Sequence, residues 1–188
     1  ITTNKKDVVL DPFCGLGTVL LECDLLDRNS IGIDLSNYAY RICLAKKDRI
    51  GLAKEINYLN KVKIKYTKNI SSVPQFVKEF YHPKTLKEII ELRDLFLKDK
   101  KDFLLGCLLG IVHGHRNQHL SMRTGYIIPY IPKPKPAIVY KNSIEKLKDK
   151  VKRMYKDEIK GKSKIKVYNK DILKTNLKKN SVDIIISS

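Results

Sequence analysis

Apolar residues follow two rhythms along this chain. Val8-Val9-Leu10 is a short unbroken apolar run, as a strand buried on both faces of a parallel sheet requires. Asp11–Thr18 (DPFCGLGT) interrupts it with two glycines. Val19–Leu26 then reads as a helix with apolar faces, and Ile31-Gly32-Ile33 as a second buried strand that ends on Asp34. Strand, glycine turn, helix and strand are thus packed into about thirty residues, the length of one βαβ unit.

Past Asp34 the period lengthens. Ser36 or Asn37 caps a predicted helix through Tyr38, Ile42, Leu44 and Ala45 to about Leu52. In Lys61–Lys68 the residues Val62, Ile64 and Tyr66 alternate with lysines, the pattern of a half-exposed strand. Ser71–Pro74 is a turn or a helix start. Thr85 is expected to cap a helix with Leu86, Ile89, Ile90 and Phe96 on its apolar face, and a more apolar helix runs from Phe103 to about His113. Residues 114–125 form a polar loop without apolar period. Pro129, Pro132, Pro134 and Pro136 then impose an extended connector. Asn142 or Ser143 opens a further helix, with Ile144, Leu147, Val151 and Met154 spaced by three and four and lysine on its other side; Gly161 ends it.

The short-period rhythm returns at the end. Ile165–Asp171 reads as a strand finishing on an acid, and Val182–Ser188 as another buried strand. The fold class that follows is α/β: a Rossmann-like, doubly wound parallel sheet, expected to be incomplete at the C-terminus, with a mainly helical basic insertion. The expected division is 1–55 for the first part of the sheet domain, 56–160 for the insertion and 161–188 for the return to the sheet. The start, ITTNKKD, has neither initiator Met nor signal pattern, so the true N-terminus is expected upstream.

Composition changes this picture in one respect. Among 188 residues, 38 Lys and Arg face 20 Asp and Glu, a net charge of +18. The surplus is uneven: residues 1–60 hold 8 of each sign, 61–132 hold 13 against 6, and 133–188 hold 17 against 6. A neutral glycine-turn lobe beside a basic remainder favours a polyanionic partner, most simply nucleic acid. No apolar run approaches the roughly 20 residues that span a membrane. Four cysteines without a CxxC pair read as reduced thiols of a cytoplasmic protein.

The glycine turn carries the chemistry. Glycines between a strand and a helix let backbone N–H groups approach a ligand closely, and a carboxylate at the tip of the next strand accepts both hydroxyls of a ribose. Leu20 stands where a dinucleotide fingerprint G-x-G-x-x-G would place its third glycine. DPFCGLGT followed by GIDLS resembles the cofactor motifs of class I S-adenosylmethionine-dependent methyltransferases. Within them it is similar to the DNA amino-methyltransferases, N4-cytosine and N6-adenine, whose turn commonly reads DPF-x-G-S-G-T; Leu16 replaces the usual Ser.

The resemblance implies S-adenosylmethionine as cofactor and assigns roles by position. Asp11 orients the methionine end, Phe13 packs near it, and Gly15, Gly17 and Thr18 form the turn. Asp34 holds the ribose, and Asp171 lies near the adenine amine. It makes Ser188 the first, catalytic residue of an S-P-P-aromatic motif whose remainder falls beyond the sequence. Ser in that position tilts the target to cytosine N4 over adenine N6. The motif order excludes the permuted arrangement of the family, and a restriction–modification setting is implied. The chain is expected to be incomplete, its fold finished by a second subunit or a C-terminal segment.

The partner expected is DNA, with RNA less favoured. Arg116, Asn117, Gln118, Arg123, Lys133 and Lys135 suit phosphate or base-edge contacts, and Tyr126, Tyr130 and Tyr140 suit stacking. His113, His115 and His119 lack a standard zinc spacing and nearby Cys or carboxylate, so no metal is expected. Two other functions remain: an RNA guanine-N2 methyltransferase, which has similar DPFCGTG motifs, and a non-catalytic nucleic-acid-binding protein that keeps the fold.

Overall fold

The apolar runs 8–10 and 31–33 lie within β1 (Val8–Asp11) and β2 (Asn29–Asp34), in a computed structural model that describes residues 3–123, 130–156 and 161–187. The helix α1 (Thr18–Leu25) crosses between them, so the strands pair in parallel with Leu10 opposite Ile31 and Asp11 opposite Gly32. After α2 (Asn37–Lys47), β3 (Ile165–Asn169) extends the sheet beside β2, with Asp34 opposite Asn169. β4 (Ile184–Ile185) pairs with β1 on the other side. The order β3-β2-β1-β4, parallel throughout, is the Rossmann-like α/β arrangement that the pattern predicts. The chain builds outward from β1 through β2 to β3 and then crosses back to place β4 on the other side of β1. The strand order reverses there, the point at which open parallel sheets place ligands at the carboxyl ends of their strands.

Period two divides the core of this sheet. Val167 of β3 packs with Cys14, Leu20, Cys43 and Ile165 under the helices. Its neighbour Tyr168 joins Leu10, Ile31 and Ile33 on the opposite face, beneath Ile172, Leu177 and Val182. Gly32 is required: a Cβ there would lie 2.6 Å from Leu20 Cδ1 and 2.9 Å from Cys14 Sγ. Asp183 serves strand entry, its carboxylate accepting the Val8 amide at 2.7 Å.

The chain forms two compact units, Ile1–Arg49 with Glu158–Ser188, and Ile50–Asp157. The second unit is helical: α3 (Leu52–Lys61), α4 (Gln75–Lys78), α5 (Pro83–Lys98), α6 (Asp102–Val112) and α7 (Ser143–Lys156). Leu92 and Phe96 of α5, Leu104 and Leu108 of α6, and Leu147 and Val151 of α7 are all essentially inaccessible and share one core. The apolar α6 needs cover on more than one side; both α5 and α7 pack on it. Among the described residues no helix is long and apolar enough to cross a membrane.

Three local expectations change. The helix after Asp34 is capped by Ser36, whose Oγ accepts the Ala39 amide at 3.3 Å, but it ends at Lys47, not near Leu52. Asp48 leaves helical geometry, and Gly51 at φ 102° starts the unforeseen α3. Residues 62–70 run outside any strand, because a side chain replaces the sheet partner: Glu91 accepts the Lys65 and Thr67 amides at 2.8 and 2.9 Å. The cap of α5 is His82, whose Nδ1 accepts the Lys84 amide, with Pro83 in the first turn. Thr85 is instead buried within the helix and exchanges two 2.9 Å hydrogen bonds with the Lys141 backbone. At α7 Asn142 is the cap, accepting from the Ile144 and Glu145 amides. Gly161 follows residues 157–160, which lie outside the described ones.

Candidate functional site

The DPFCGLGT turn is built by its glycines. Gly15 (φ 47°) and Gly17 (φ 74°) adopt the left-handed geometry that costs other residues about 1 kcal/mol or more. Gly17 has a second constraint, since a Cβ there would meet Cys43 Sγ at 2.7 Å. Beside Gly15 the equivalent position meets no atom within 4 Å, which leaves open space against the backbone. The turn is fastened to β2 from below, Cys14 N donating to Ile33 O at 3.0 Å. Cys43 Sγ lies 4.0 Å from Cys14 Sγ and donates to Gly15 O at 3.4 Å. This contact with Cys43, and then burial, push the Cys14 thiol up, so it stays protonated. Thr18 is the first residue of α1 and is exposed, with Gly17 as cap and no side chain closing the helix start.

Two carboxylates stand at the ends of adjacent strands. Asp34 is fixed by two backbone donors, Gly15 N to Oδ2 and Ser36 N to Oδ1, both at 2.8 Å. One bond therefore ties the glycine turn directly to the acid beside it. Asp11 is buried, and its Oδ1 accepts the Phe13 amide at 3.2 Å. Burial pushes the Asp11 carboxyl above the usual aspartate range; the Phe13 amide pulls it back and the Asp34 charge adds to the rise. Three large apolar side chains stay in solvent around this pair: Phe13 is 60% exposed, Leu16 51% and Leu35 77%. Apolar groups left in water beside fixed carboxylates mark a ligand surface.

Asp171 lies two residues past the end of β3, where its Oδ1 accepts the Leu173 amide and caps the 3₁₀ turn Ile172–Lys174. The structure adds Asn169, which the sequence reading missed. Its Nδ2 donates to Asp34 O and Leu35 O, each at 2.9 Å, and so pins the tip of β2. Cys43 was missed as well, because only the fold brings it under the glycine turn.

The basic candidates separate. Arg116, Asn117 and Arg123 are exposed on the loop after α6, and Gln118 is half-buried there. Lys133 is exposed, while Lys135 pairs with Glu79 at 3.6 Å on the surface. Tyr130 is exposed, whereas Tyr140 is committed to structure: its hydroxyl donates to Glu88 at 2.7 Å. Tyr126 and Ser188 lie outside the described residues. Among the described residues no group of three or more His, Cys, Asp or Glu is placed to hold a metal ion.

Comparison with known proteins locates the likeness in this same segment. Residues 1–47 match the family model described as DNA methylase. The chain is 38% identical over 80 residues to the type II methyltransferase M.MjaII of Methanocaldococcus jannaschii, covering 40% of this chain and 15% of that one. It is 38% identical over 63 residues to M.HindIII of Haemophilus influenzae (34% and 19%) and 42% over 59 residues to M.EcaI of Enterobacter cloacae (31% and 13%), both also type II methyltransferases. The chain thus matches less than a fifth of the length of each of these relatives. No solved structure matches it. Residues 1–47, the stretch that carries Asp11, Phe13, both glycines and Asp34, are thus where the chain is similar to the DNA methylase family.

Proposed function

We propose that the chain is the cofactor-binding and target-recognition part of a DNA methyltransferase. The reaction moves a methyl group from S-adenosylmethionine to an exocyclic base amine, cytosine N4 ahead of adenine N6. The observation that carries this reading is the Gly15–Asp34 hydrogen bond within the family-matched segment, which holds an open glycine turn against a fixed carboxylate.

The donor set suits that cofactor. Each Asp34 oxygen uses one backbone donor and keeps a lone pair for a ribose hydroxyl. Asp11 offers negative charge to the ammonium of the methionine end, Phe13 an aromatic face, and Asp171 an acceptor for the adenine amine. When bound, S-adenosylmethionine supplies an electrophilic methyl on its sulfonium. Ser188, by its motif position, accepts a hydrogen of the target amine, which keeps the nitrogen lone pair available once the base has left the stack. The unit Ile50–Asp157, with its basic surplus, takes the duplex and reads the target.

The test is incubation of the full-length protein with radiolabelled S-adenosylmethionine and either duplex DNA or RNA, followed by nucleoside analysis. Label is expected in N4-methylcytosine. Label in N6-methyladenine keeps the enzyme and reverses the base preference. Label confined to guanine N2 of an RNA substrate favours the RNA reading, and absence of transfer together with absence of cofactor binding rules out the methyltransferase.

Asp11 adds a pH signature. Its raised pKa means that acidification removes the carboxylate earlier than from an ordinary aspartate. Affinity for S-adenosylmethionine is therefore expected to fall as pH drops, starting above the normal aspartate range. Calorimetry across pH 7.5 to 4.5 checks it: Asp11→Asn should bind more weakly than the parent at pH 7.5, lose that dependence, and converge with the parent as pH falls. An unchanged pH profile in the variant would assign the titration to another group.

A further inference from the structure

We propose that a cavity between the end of α6, the loop 113–119 and α7 binds a phosphate of the DNA backbone. This rests on the reading of DNA as the substrate and names a place where the duplex is held. The cavity has a volume of about 460 Å³. Three cationic side chains line it, Arg116, Lys150 and Arg153, with three imidazoles, His113, His115 and His119. No carboxylate appears among the described residues that line it. Nor does any described carboxylate form an ion pair with one of its three cations. Like charges gathered on one concavity repel each other, and an anion between them relieves that repulsion.

The local backbone favours the same occupant. The C-terminal carbonyls of a helix repel anions, but the last two of α6 are already engaged. Ile111 O accepts from Leu120 N at 2.8 Å, and Val112 O accepts from Ser121 N and from the Tyr81 hydroxyl, both at 3.1 Å. Donors remain available. Arg116 and Arg153 line the cavity and are exposed, so their guanidinium N–H groups are open to a ligand. The loop holds its shape because Gly114 has no Cβ: one there would lie 2.6 Å from the His119 ring. His119 is fixed in turn by a 3.2 Å contact between its Nδ1 and the Arg116 backbone.

A backbone phosphate fits better than a free anion because the charge extends beyond the cavity. Residues 50–157 hold 23 Lys and Arg against 10 Asp and Glu. Lys152 and Lys156 continue the cationic surface along α7, exposed like Arg153. Such a field attracts a polyanion over a Debye length, whereas one phosphate ion needs only the pocket.

The experiment is fluorescence anisotropy of the chain with a labelled 30-base-pair duplex at several salt concentrations. The triple variant Arg116→Ala/Lys150→Ala/Arg153→Ala is compared with a charge-matched control, Lys54→Ala/Lys61→Ala/Lys98→Ala, at exposed sites elsewhere. The triple variant is expected to lose roughly 10- to 100-fold in affinity at low salt, with a log–log salt slope shallower by about one. The control is expected to lose less than about 3-fold. Arg153→Glu, a single exposed change, should lose more than Arg153→Ala and guards against misfolding of the triple variant. Equal losses in triple variant and control overturn the proposal. So does thermal stabilisation of the parent chain, but not the triple variant, by inorganic phosphate while both bind DNA alike, since the cavity then serves free phosphate. Calorimetry of the same samples with S-adenosylmethionine separates the two readings. Cofactor binding with no effect of the triple variant on DNA affinity rejects the cavity alone. DNA binding that depends on the cavity, with no cofactor bound, rejects the methyltransferase alone.

Discussion

Replacing Asp34 by alanine is expected to remove measurable S-adenosylmethionine binding from the chain while leaving it folded. Two ribose hydroxyls donating to an ionised carboxylate contribute about 1.5–3 kcal/mol each. Their joint loss weakens affinity by roughly 10²- to 10⁴-fold. The variant also frees the Gly15 and Ser36 amides, which Asp34 now accepts at 2.8 Å. The Ser36 site is exposed and Asp34 itself half-buried, so water takes over and the stability cost stays near 1–2 kcal/mol. Asp34→Asn separates the two effects. Its amide oxygen still accepts from the turn, but the amino group cannot accept a hydroxyl, so cofactor affinity should fall while the melting temperature hardly moves. Calorimetry and thermal unfolding on the three proteins decide the matter. If Asp34→Ala binds the cofactor within 3-fold of the parent chain, the ribose acid lies elsewhere.

The glycine-turn segment was legible in the sequence because its information is local. Val8–Asp34 specifies two buried strands by unbroken apolar runs, a turn by its glycines, and an acid at a strand tip; each is set within a few residues of itself. Asn169 and Cys43 were not legible for the opposite reason. Asn169 holds Asp34 across 135 residues of chain, and Cys43 reaches Gly15 across 28. No spacing rule registers contacts that only the finished fold brings together. The helical unit shows the same division. Its apolar stripes announced α5, α6 and α7. The segment 62–70 alternated like a strand, yet it sits against Glu91, because a carboxylate from α5 supplied the acceptors that a ladder would have given. Period reports which faces are buried, not which partner satisfies the backbone. Thr85 was misjudged likewise: its hydroxyl suits a cap, but the Lys141 backbone claims it from a distant stretch.

That distant stretch is held by a second buried group whose removal should have the largest effect on stability. Glu88 of α5 is almost inaccessible. Its Oε1 accepts the Tyr66 hydroxyl at 2.8 Å and the Tyr140 hydroxyl at 2.7 Å, and its Oε2 accepts the Ser143 amide at 2.8 Å. One carboxylate thus ties the 62–70 segment, the end of the proline-rich connector and the first residue of α7 to α5. The Lys84 ammonium lies 5.0 and 4.6 Å from the Tyr66 and Tyr140 ring centroids, a cation against the two rings whose hydroxyls reach this acid. Glu88→Ala leaves the fully buried Ser143 amide without an acceptor and opens a void where the carboxylate packed. The expected cost is about 3–5 kcal/mol, on the scale of breaking a buried charged network, which lowers the melting temperature by roughly 12–20 °C in a unit of this size. Glu88→Gln keeps one accepting oxygen but turns an amino group toward donors, so about half that loss is expected. The connector carries Lys133 and Lys135, so loosening it should weaken DNA binding by Glu88→Gln at a temperature where the variant is still folded. S-adenosylmethionine affinity, which the proposed function assigns to the other unit, should stay the same. A melting temperature within 3 °C of the parent for Glu88→Ala would show that the carboxylate does not join these segments. A parallel loss of cofactor affinity in Glu88→Gln would show that the two units do not respond separately.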